Sequence, residues 1–175
     1  MCIVGDVGTN VPLKQATKDA IVERHNRVRA RVDPPAADMA KVMWDDNLAI
    51  VAAKWARQCL KRHDVYKGVP TLPDVSVGQN IAIGHRHFRA AMGGWIIEKS
   101  DFVYGVGSNM TIGHYTQIVN ARVQRVGCGR ADCPGTRFYV CNYAASQVSV
   151  RFPYKNATTS CSDCPKHCDA SGKLC

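Results

Sequence analysis

The stretch GHYTQIVNARVQRVGCGRADC, residues 113–133, begins with a glycine and a histidine and contains short runs of β-branched and apolar residues. Its segments YTQIV and VQRVGCGRA, followed by RFYVCNYAA at 137–145, have the composition that is typical of β-strands. Asp132-Cys133-Pro134-Gly135 between the last two segments is a natural hairpin connection. The stretch therefore predicts a sheet. It leaves three roles open for His114, which can be a base, a metal ligand or a buried polar brace.

Two helices are predicted before this sheet, with a loop and a short turn or strand between them. Apolar residues recur at helical spacing from Leu13 to Val32, and Pro34-Pro35 ends that run. The stretch Tyr66–Asp74 is rich in proline and glycine and predicts a loop. VGQNIAIG at 77–84 predicts a short turn or strand, and residues 87–100 predict a helix despite two internal glycines.

A further helix is predicted within MWDDNLAIVAAKWARQCLKRH, residues 43–63. Asp45 or Asp46 can cap its start, and apolar residues form one continuous face along it. The helix is predicted to end near His63. Because Cys59 and His63 are four residues apart, they would then share one helical face.

The cysteine content favours an oxidising, extracellular compartment. Nine cysteines in 175 residues are many for a cytosolic protein. Two N-glycosylation triplets, which begin at Asn109 and Asn156, agree with a secreted glycoprotein. Because nine is odd, at least one thiol cannot pair within the chain, and Cys2 is the candidate. The first residues lack a basic stretch followed by a long apolar region, so a signal peptide is expected to have been removed.

The formal net charge of +9 favours anionic partners such as sulfated glycans and lipid head groups. Nucleic acid is not expected as a partner outside the cell. The basic residues are interleaved with apolar positions on the predicted helices, so solvated helix faces are the simpler interpretation. No apolar run approaches the length of about 18 residues that a membrane-spanning helix needs, so no transmembrane segment is predicted.

Several motifs occur in an order that is known from one superfamily. HNRVR at 25–29 matches H-N-x-x-R, and GQNI at 78–81, GHYTQIV at 113–119 and FYVCNY at 138–143 look like further signature motifs. From these motifs, residues 14–150 resemble the CAP superfamily of cysteine-rich secretory proteins, antigen-5 venom allergens and pathogenesis-related-1 proteins. The chain resembles a divergent, venom-allergen-like member. The resemblance implies an α+β fold, an α-β-α sandwich with a central antiparallel sheet between helical layers, stabilised by disulfides.

The resemblance also implies a central cleft with two histidines and two acidic residues. His63 and His114 fall on the histidine positions, Glu98 falls on one acidic position, and Gln79 stands at the other. His63, His114 and Glu98 can hold a divalent cation such as zinc or magnesium, although no cofactor is expected to be required. Because an amide cannot act as a base and no zinc-protease or serine-hydrolase motif occurs, we expect no enzymatic activity. A metal-dependent hydrolase and a purely structural brace remain the alternatives.

An apolar loop precedes His114, and apolar surface of this kind often marks a ligand or partner site. Members of the superfamily bind sterol at the corresponding loop, and some hold a fatty acid between two helices. By resemblance this chain can bind either lipid, and the alternative is that the loop side chains fold back into the core. The predicted lipid-binding residues are Phe102, Val103, Tyr104, Val106, Met110 and Ile112.

The resemblance further implies a disulfide pattern and a division of the chain. Residues 1–155 are the predicted CAP domain, and residues 156–175 resemble the cysteine-rich hinge of cysteine-rich secretory proteins. Four cysteines of this tail admit three pairings, and a zinc site is the alternative for three of them. The implied disulfides are Cys59 with Cys133, Cys128 with Cys141, Cys161 with Cys168, and Cys164 with Cys175.

The predicted function is that of a secreted, non-enzymatic protein that binds sterol or fatty acid, with an immunomodulatory effect on a host as a further expectation of the resemblance. Two alternatives stay open. One is a divalent-metal-dependent hydrolase centred on the cleft, and the other is an interaction protein that binds glycans or a cell-surface receptor.

Overall fold

The computed structural model contains both helices and strands, and it describes residues 7–65, 68–107, 112–146 and 149–175. In chain order the elements are β1 (Thr9–Asn10), α1 (Gln15–Arg29), β2 (Met43–Trp44), α2 (Asp46–Ala56), β3 (Val77–Ile83), α3 (Phe88–Ile96), a 3-10 helix (Ile97–Asp101), α4 (Gly113–Ile118), β4 (Arg125–Cys133) and β5 (Thr136–Ala144).

The sheet follows the order β1-β4-β5-β3, and β2 pairs with the outer edge of β4. The three long strands β3, β4 and β5 are antiparallel, whereas the two-residue β2 is parallel to β4. The β4–β5 hairpin turns at Pro134-Gly135, where Gly135 has a φ of 70° that favours glycine. The hairpin predicted at Asp132-Cys133-Pro134-Gly135 is therefore confirmed.

Helix α2 covers one face of the sheet with its backbone very close to β4. A Cβ atom at Gly127 would lie 2.2 Å from the backbone nitrogen of Ala49, and a Cβ atom at Gly129 would lie 2.3 Å from the Cα atom of Ala53. These two glycines lie two residues apart on β4 and therefore face the same side. Only residues without a side chain let the helix approach to this distance.

Helices α1, α3 and α4 cover the opposite face. Their buried side chains, among them Ile21, Met92, Trp95 and Tyr115, form one hydrophobic cluster with sheet residues such as Tyr143. The sheet thus lies between two helical layers. The predicted α-β-α sandwich is confirmed.

The prediction of a strand at YTQIV is wrong, because residues Gly113–Ile118 form helix α4. The hydroxyl of Thr116 donates to the backbone carbonyl of Ile112, four residues earlier, as threonine does inside a helix. Tyr115, Thr116, Gln117 and Ile118 are all buried. Packing on every side of this short helix overrides the strand preference of its β-branched and aromatic residues.

The second predicted helix ends earlier than expected. Helix α2 stops at Ala56, and Cys59 has a φ of 56°, a left-handed conformation that an α-helix cannot contain. His63 therefore lies in the following loop and does not share a helical face with Cys59. The N-cap is Asp45, whose side chain accepts a hydrogen bond from the backbone N–H of Leu48 at 3.0 Å.

The remaining predicted elements are present with shorter bounds. Helix α1 spans Gln15–Arg29 within the predicted Leu13–Val32, and VGQNIAI forms the edge strand β3. The helix predicted at 87–100 is divided into α3 and the 3-10 helix.

The structure contains four disulfides that match the pattern implied by the resemblance, and Cys2 lies outside the described residues. Cys128 and Cys141 are directly opposite each other on β4 and β5, and Cys59–Cys133 joins the end of the α2 layer to the hairpin. The tail contains Cys161–Cys168 and Cys164–Cys175.

The tail that follows Asn156 packs against the segment 35–41. The backbone N–H groups of Cys161 and Cys175 donate to the carbonyls of Ala36 and Met39 at 3.1 and 2.8 Å. Leu174 is buried in the same cluster as α1 and α3. The division at residue 155 remains a prediction, and the tail lies in direct contact with the sandwich.

Candidate functional site

His63 is exposed in the loop after α2, and its ring is bound to the edge strand β3. The Nδ1 atom of His63 lies 3.1 Å from the Oε1 atom of Gln79. The same oxygen accepts a hydrogen bond from the backbone N–H of Asp64 at 3.0 Å. The amide nitrogen of Gln79 donates to the Oδ1 atom of Asn142, its cross-strand neighbour on β5, at 3.0 Å.

These contacts fix the tautomer of His63. Because the Oε1 atom of Gln79 can only accept, the Nδ1 atom of His63 must carry a proton and donate it. The Nε2 atom then keeps its lone pair, and it forms no hydrogen bond within the part of the chain that the structure describes. His63 therefore presents a free nitrogen ligand to solvent.

Glu98 holds His114, the second histidine of the predicted cleft. The Nδ1 atom of His114 lies 2.6 Å from the Oε1 atom of Glu98, and the backbone N–H of Tyr115 donates to the Oε2 atom at 2.9 Å. The His114 side chain is 32% exposed, whereas that of Glu98 is 14% exposed. Each carboxylate oxygen thus accepts one hydrogen bond, so Glu98 orients His114 and leaves its Nε2 atom available.

The ring and the backbone of His114 are both held in place. The Trp95 ring stacks on the imidazole with an interplanar angle of 22° and centroids 6.1 Å apart. The indole N–H of Trp95 donates to the carbonyl of Ile81 on β3 at 3.1 Å. The amide nitrogen of Asn80 donates to the carbonyl of His114 at 3.0 Å. The first turn of α4 is therefore fixed to strand β3.

Asn80 also begins a chain of hydrogen bonds into the core. Its amide nitrogen donates to the Tyr143 hydroxyl at 3.1 Å, which lies 3.1 Å from the Nε2 atom of His25. The Nδ1 atom of His25 lies 2.8 Å from the carbonyl of Ile21, which can only accept. His25 is therefore the Nδ1–H tautomer and accepts the Tyr143 proton at Nε2.

Asn26 and Arg29, the other two fixed residues of the H-N-x-x-R motif, also stabilise the fold through hydrogen bonds. Asn26 forms two hydrogen bonds with the backbone of Val42, one to its carbonyl and one from its N–H, at 2.9 and 2.8 Å. Arg29 is fully buried and donates five hydrogen bonds at 2.6 to 3.0 Å. Its acceptors are the carbonyls of Ala40, Ile118, Asn120 and Val123.

The three predicted metal ligands do not converge on one point. Three ligands of one zinc ion lie about 2.0 to 2.3 Å from it, so their atoms must lie close together. Among the described residues, the ligand atoms of His63, Glu98 and His114 do not all lie within 4.8 Å of one another. The three residues together thus do not form one ligand set, although each imidazole has an Nε2 atom free of hydrogen bonds among the described residues. Glu98 and Gln79 act as the hydrogen-bonding groups that orient such ligands.

No pattern in the sequence points to several residues that hold these histidines in place. Asn142 is fully buried behind Gln79, and its Nδ2 atom has no hydrogen-bond partner within the described ranges. The position of Asn142 beside Gln79 becomes evident only from the register of β3 with β5. The backbone N–H of Asp64 bonds to Gln79, and the side-chain amide of Asn80 bonds to the carbonyl of His114. No rule of sequence spacing links Asp64 or Asn80 to the two histidines.

The predicted lipid-binding loop divides into two groups, and Met110 and Asn109 lie outside the described residues. Phe102 and Tyr104 pack against the main hydrophobic cluster, and Ile112 belongs to the buried core. Val103 and Val106 are 57% and 65% exposed. The second predicted glycosylation residue, Asn156, is exposed.

A groove of about 670 Å³ lies between α1 and α3. This volume falls within the range of about 300 to 1,000 Å³ that is usual for sites of small ligands. Ala16 and Ala20 leave the α1 side open because their side chains are small. The apolar side chains that line the groove further inside are Ile21, Val28, Phe88, Met92 and Ile96.

Arginines form one margin of this groove. The Nη1 atom of Arg24 donates to the backbone carbonyl of Arg89 at 2.8 Å, and both residues line the groove. Burial, together with the positive charges of Arg89 and Arg27, lowers the pKa of the Arg24 guanidinium. Arg27 forms an ion pair with Glu23. Arg24 and Arg89 have no acidic partner among the residues that the structure describes.

The fold is a disulfide-stabilised α-β-α sandwich, in which Gln79 holds His63 and Glu98 holds His114. A sequence model of the cysteine-rich secretory protein (CAP) family matches residues 22–143. The chain therefore belongs to the CAP family of cysteine-rich secretory proteins.

Curated relatives include venom and secretory proteins. The chain is 44% identical to a cysteine-rich venom protein of Conus textile over 161 residues, which are 90% of this chain and 52% of that protein. It is 34% identical to allurin of Xenopus tropicalis, with 98% of this chain and 88% of allurin covered. The chain thus spans little more than half the length of the cone-snail venom proteins that it matches.

A solved structure of Schistosoma mansoni venom allergen-like protein 4 has the same fold. It superposes with a TM-score of 0.71 and 28% identity, and the match covers 87% of this chain and all of that chain. Within the described residues, no helix combines the length and apolar character that are needed to cross a membrane.

Proposed function

We propose that this protein is an extracellular, non-enzymatic carrier that binds a long-chain fatty acid in the groove between α1 and α3. The observation that carries the proposal is the combination of an apolar lining with two unpaired arginines at the margin. An acyl chain would lie against Ile21, Phe88 and Met92. Its carboxylate would accept hydrogen bonds from Arg24 and Arg89, which relieves the repulsion between the two cations.

This groove favours a fatty acid over a sterol. A sterol is a rigid, uncharged ring system that gives the two arginines no counter-charge. The loop residues that were predicted to bind lipid also leave less room for a sterol, because Phe102, Tyr104 and Ile112 are packed inward. Sterol binding at this loop remains a prediction that the same assay can measure.

The test uses delipidated protein and a radiolabelled long-chain fatty acid, with a labelled sterol in parallel. We expect saturable fatty-acid binding that falls about tenfold in Arg24→Gln and in Arg89→Gln, because each variant loses one charge-assisted hydrogen bond. Ala20→Phe should abolish binding, since it fills the groove. Lys54→Gln, which removes an exposed cation from α2, is the matched control. Equal binding by the arginine variants and the wild type would contradict the proposal.

Cation binding in the cleft is a second proposal, and the free Nε2 atoms of His63 and His114 support it. A divalent cation such as zinc would take these two imidazoles and complete its shell with water. Zinc titration by calorimetry should give a heat signal that His63→Ala and His114→Ala each reduce, while His167→Ala on the tail leaves it unchanged. Hydrolysis is not proposed, because the amide of Gln79 cannot accept a proton as a base.

The alternative of a glycan- or receptor-binding protein remains a prediction. Its support is the net charge of +9, and no cluster of described residues singles out a partner. Elution from heparin at salt no higher than a size-matched neutral protein requires would count against it.

A further inference from the structure

An exposed apolar patch lies at the end of the sandwich, where two separate segments come together. The patch consists of Val103 and Val106 from one segment and Val150 and Phe152 from the other. Val106 and Phe152 are 65% and 56% exposed. Apolar side chains of this size are costly to leave in water when they are clustered, so the patch points to a surface that contacts something apolar.

The first segment is a tight turn that projects Val106 outward. The backbone N–H groups of Val106 and Gly107 both donate to the carbonyl of Val103 at 3.2 Å. Gly105 and Gly107 have φ values of 83° and 72°, which glycine adopts without strain. The turn therefore presents its two valines on a fixed backbone.

The second segment is attached to this turn. The backbone N–H of Gly105 donates to the carbonyl of Arg151 at 3.0 Å, and the Tyr104 and Phe152 rings meet at 5.5 Å. The Tyr104 hydroxyl donates to the carbonyl of Tyr154 at 2.8 Å. The two segments form one preorganised surface, and its apolar side chains face solvent.

Two arginines lie beside the patch, and Asp38 lines the same hollow as Arg122. Arg151 lies between Val150 and Phe152 in the chain, and Arg122 lines the same hollow as Phe152. Neither arginine has an acidic partner within the described part of the chain. Lys155 is different, because it forms an ion pair with Asp163 and adds no free charge. Exposed apolar side chains beside unpaired cations match the chemistry of an anionic lipid surface.

We propose that Val103, Val106, Val150 and Phe152 dock this protein on anionic lipid bilayers, with Arg122 and Arg151 at the level of the head groups. The apolar side chains enter the boundary between head groups and acyl chains, and the guanidinium groups bind lipid phosphates and carboxylates. This interaction does not depend on the fatty-acid groove, which lies between α1 and α3.

The test is co-sedimentation of the protein with vesicles of phosphatidylcholine and phosphatidylserine, and with vesicles of phosphatidylcholine alone. We expect stronger binding to the anionic vesicles, weakened by added salt. Val106→Ser and Phe152→Ser should each lower vesicle affinity about tenfold, because each removes a side chain from the bilayer boundary. Arg151→Gln should lower affinity about fivefold for anionic vesicles and leave binding to neutral vesicles unchanged.

Control variants show whether vesicle binding depends on this patch, and not on exposed apolar residues elsewhere or on fatty-acid binding in the groove. Ile50→Ser and Val65→Ser remove exposed apolar residues at other places, with 66% and 80% exposure in the wild type, and should bind vesicles normally. Ala20→Phe should also bind vesicles normally, even though it blocks the groove. Unchanged thermal unfolding of each variant shows that the fold is intact. Absent vesicle binding, or equal losses in patch and control variants, would overturn the proposal.

Discussion

The Nε2 atom of His25 lies 3.1 Å from the hydroxyl of Tyr143, and both side chains are buried in the core. Burial raises the pKa of the Tyr143 hydroxyl, so Tyr143 stays a proton donor over the physiological range. Burial also lowers the pKa of His25 to about 4, even though the bond to the Ile21 carbonyl acts in the opposite direction. A protonated His25 would lose its acceptor atom for Tyr143 and place a charge in the core.

We predict from this pair that the protein loses stability in mild acid. Unfolded His25 has a pKa near 6.5, so between pH 6.5 and about 4 the unfolded chain binds more protons than the folded one. The free energy of unfolding should therefore fall as the pH falls through this window. The contribution of His25 is about 3 kcal/mol.

Urea unfolding at several pH values measures this effect. His25→Gln should be less stable at pH 7 but should lose less stability between pH 6.5 and 4, because it has no imidazole to protonate. His167→Gln removes an exposed histidine and should keep the wild-type slope. The same slope in His25→Gln and wild type would show that His25 is not responsible.

The second prediction concerns Arg29. Arg29→Lys should lower the free energy of unfolding by about 3 kcal/mol, because an ammonium group cannot reach all the carbonyls that the guanidinium connects. Arg31→Lys changes an exposed arginine two residues later and should have almost no effect. Chemical denaturation of both variants checks the difference, and a loss of stability as small as that of Arg31→Lys would contradict the role assigned to Arg29.

The third prediction concerns the contact between α2 and β4. Gly129→Ala places a Cβ atom 2.3 Å from the Ala53 backbone, so the helix must move away from the sheet. We expect a loss of about 3 kcal/mol in the free energy of unfolding. Gly68→Ala is the control, since nothing lies within 4 Å of a Cβ atom at Gly68. Thermal unfolding would show a large shift for the first variant alone.

The fourth prediction concerns the amide in the cleft. Gln79→Glu gives His63 a carboxylate partner like the one that Glu98 gives His114, and it should strengthen zinc binding about tenfold. It should also lower stability without zinc, because the new carboxylate faces the Oδ1 atom of Asn142. Gln124→Glu adds the same charge at an exposed position and should change neither quantity. Unchanged zinc affinity in Gln79→Glu would argue against a cation site at His63.

Periodicity and turn chemistry predicted the helices α1 and α3, an N-cap at Asp45 or Asp46, and the β4–β5 hairpin. They could not predict α4, because its strand-forming residues become helical only when tertiary contacts bury Tyr115 and Ile118. The end of α2 could not be predicted either. It depends on the left-handed backbone at Cys59, and Cys59 forms a disulfide with Cys133, far along the chain.

The candidate sites show the same limit. The resemblance brought His63, His114, Glu98 and Gln79 together. The orientations of Gln79 and Glu98 also depend on the backbone N–H groups of Asp64 and Tyr115, which no local pattern connects to the histidines. The groove between α1 and α3 has no sequence signature of its own. It arises because Ala20 is small and because two helices from distant parts of the chain lie side by side.

The disulfides at the β4–β5 hairpin determine what happens when a protease cuts this hairpin. Its exposed tip at Pro134-Gly135 is the kind of site where an endopeptidase cuts first. A break there would release no fragment, because Cys128–Cys141 ties the two new ends together and Cys59–Cys133 anchors the first of them to the α2 layer. In gel electrophoresis the cut protein would migrate as two fragments only after its disulfides are reduced. Before reduction, its sandwich would still be assembled.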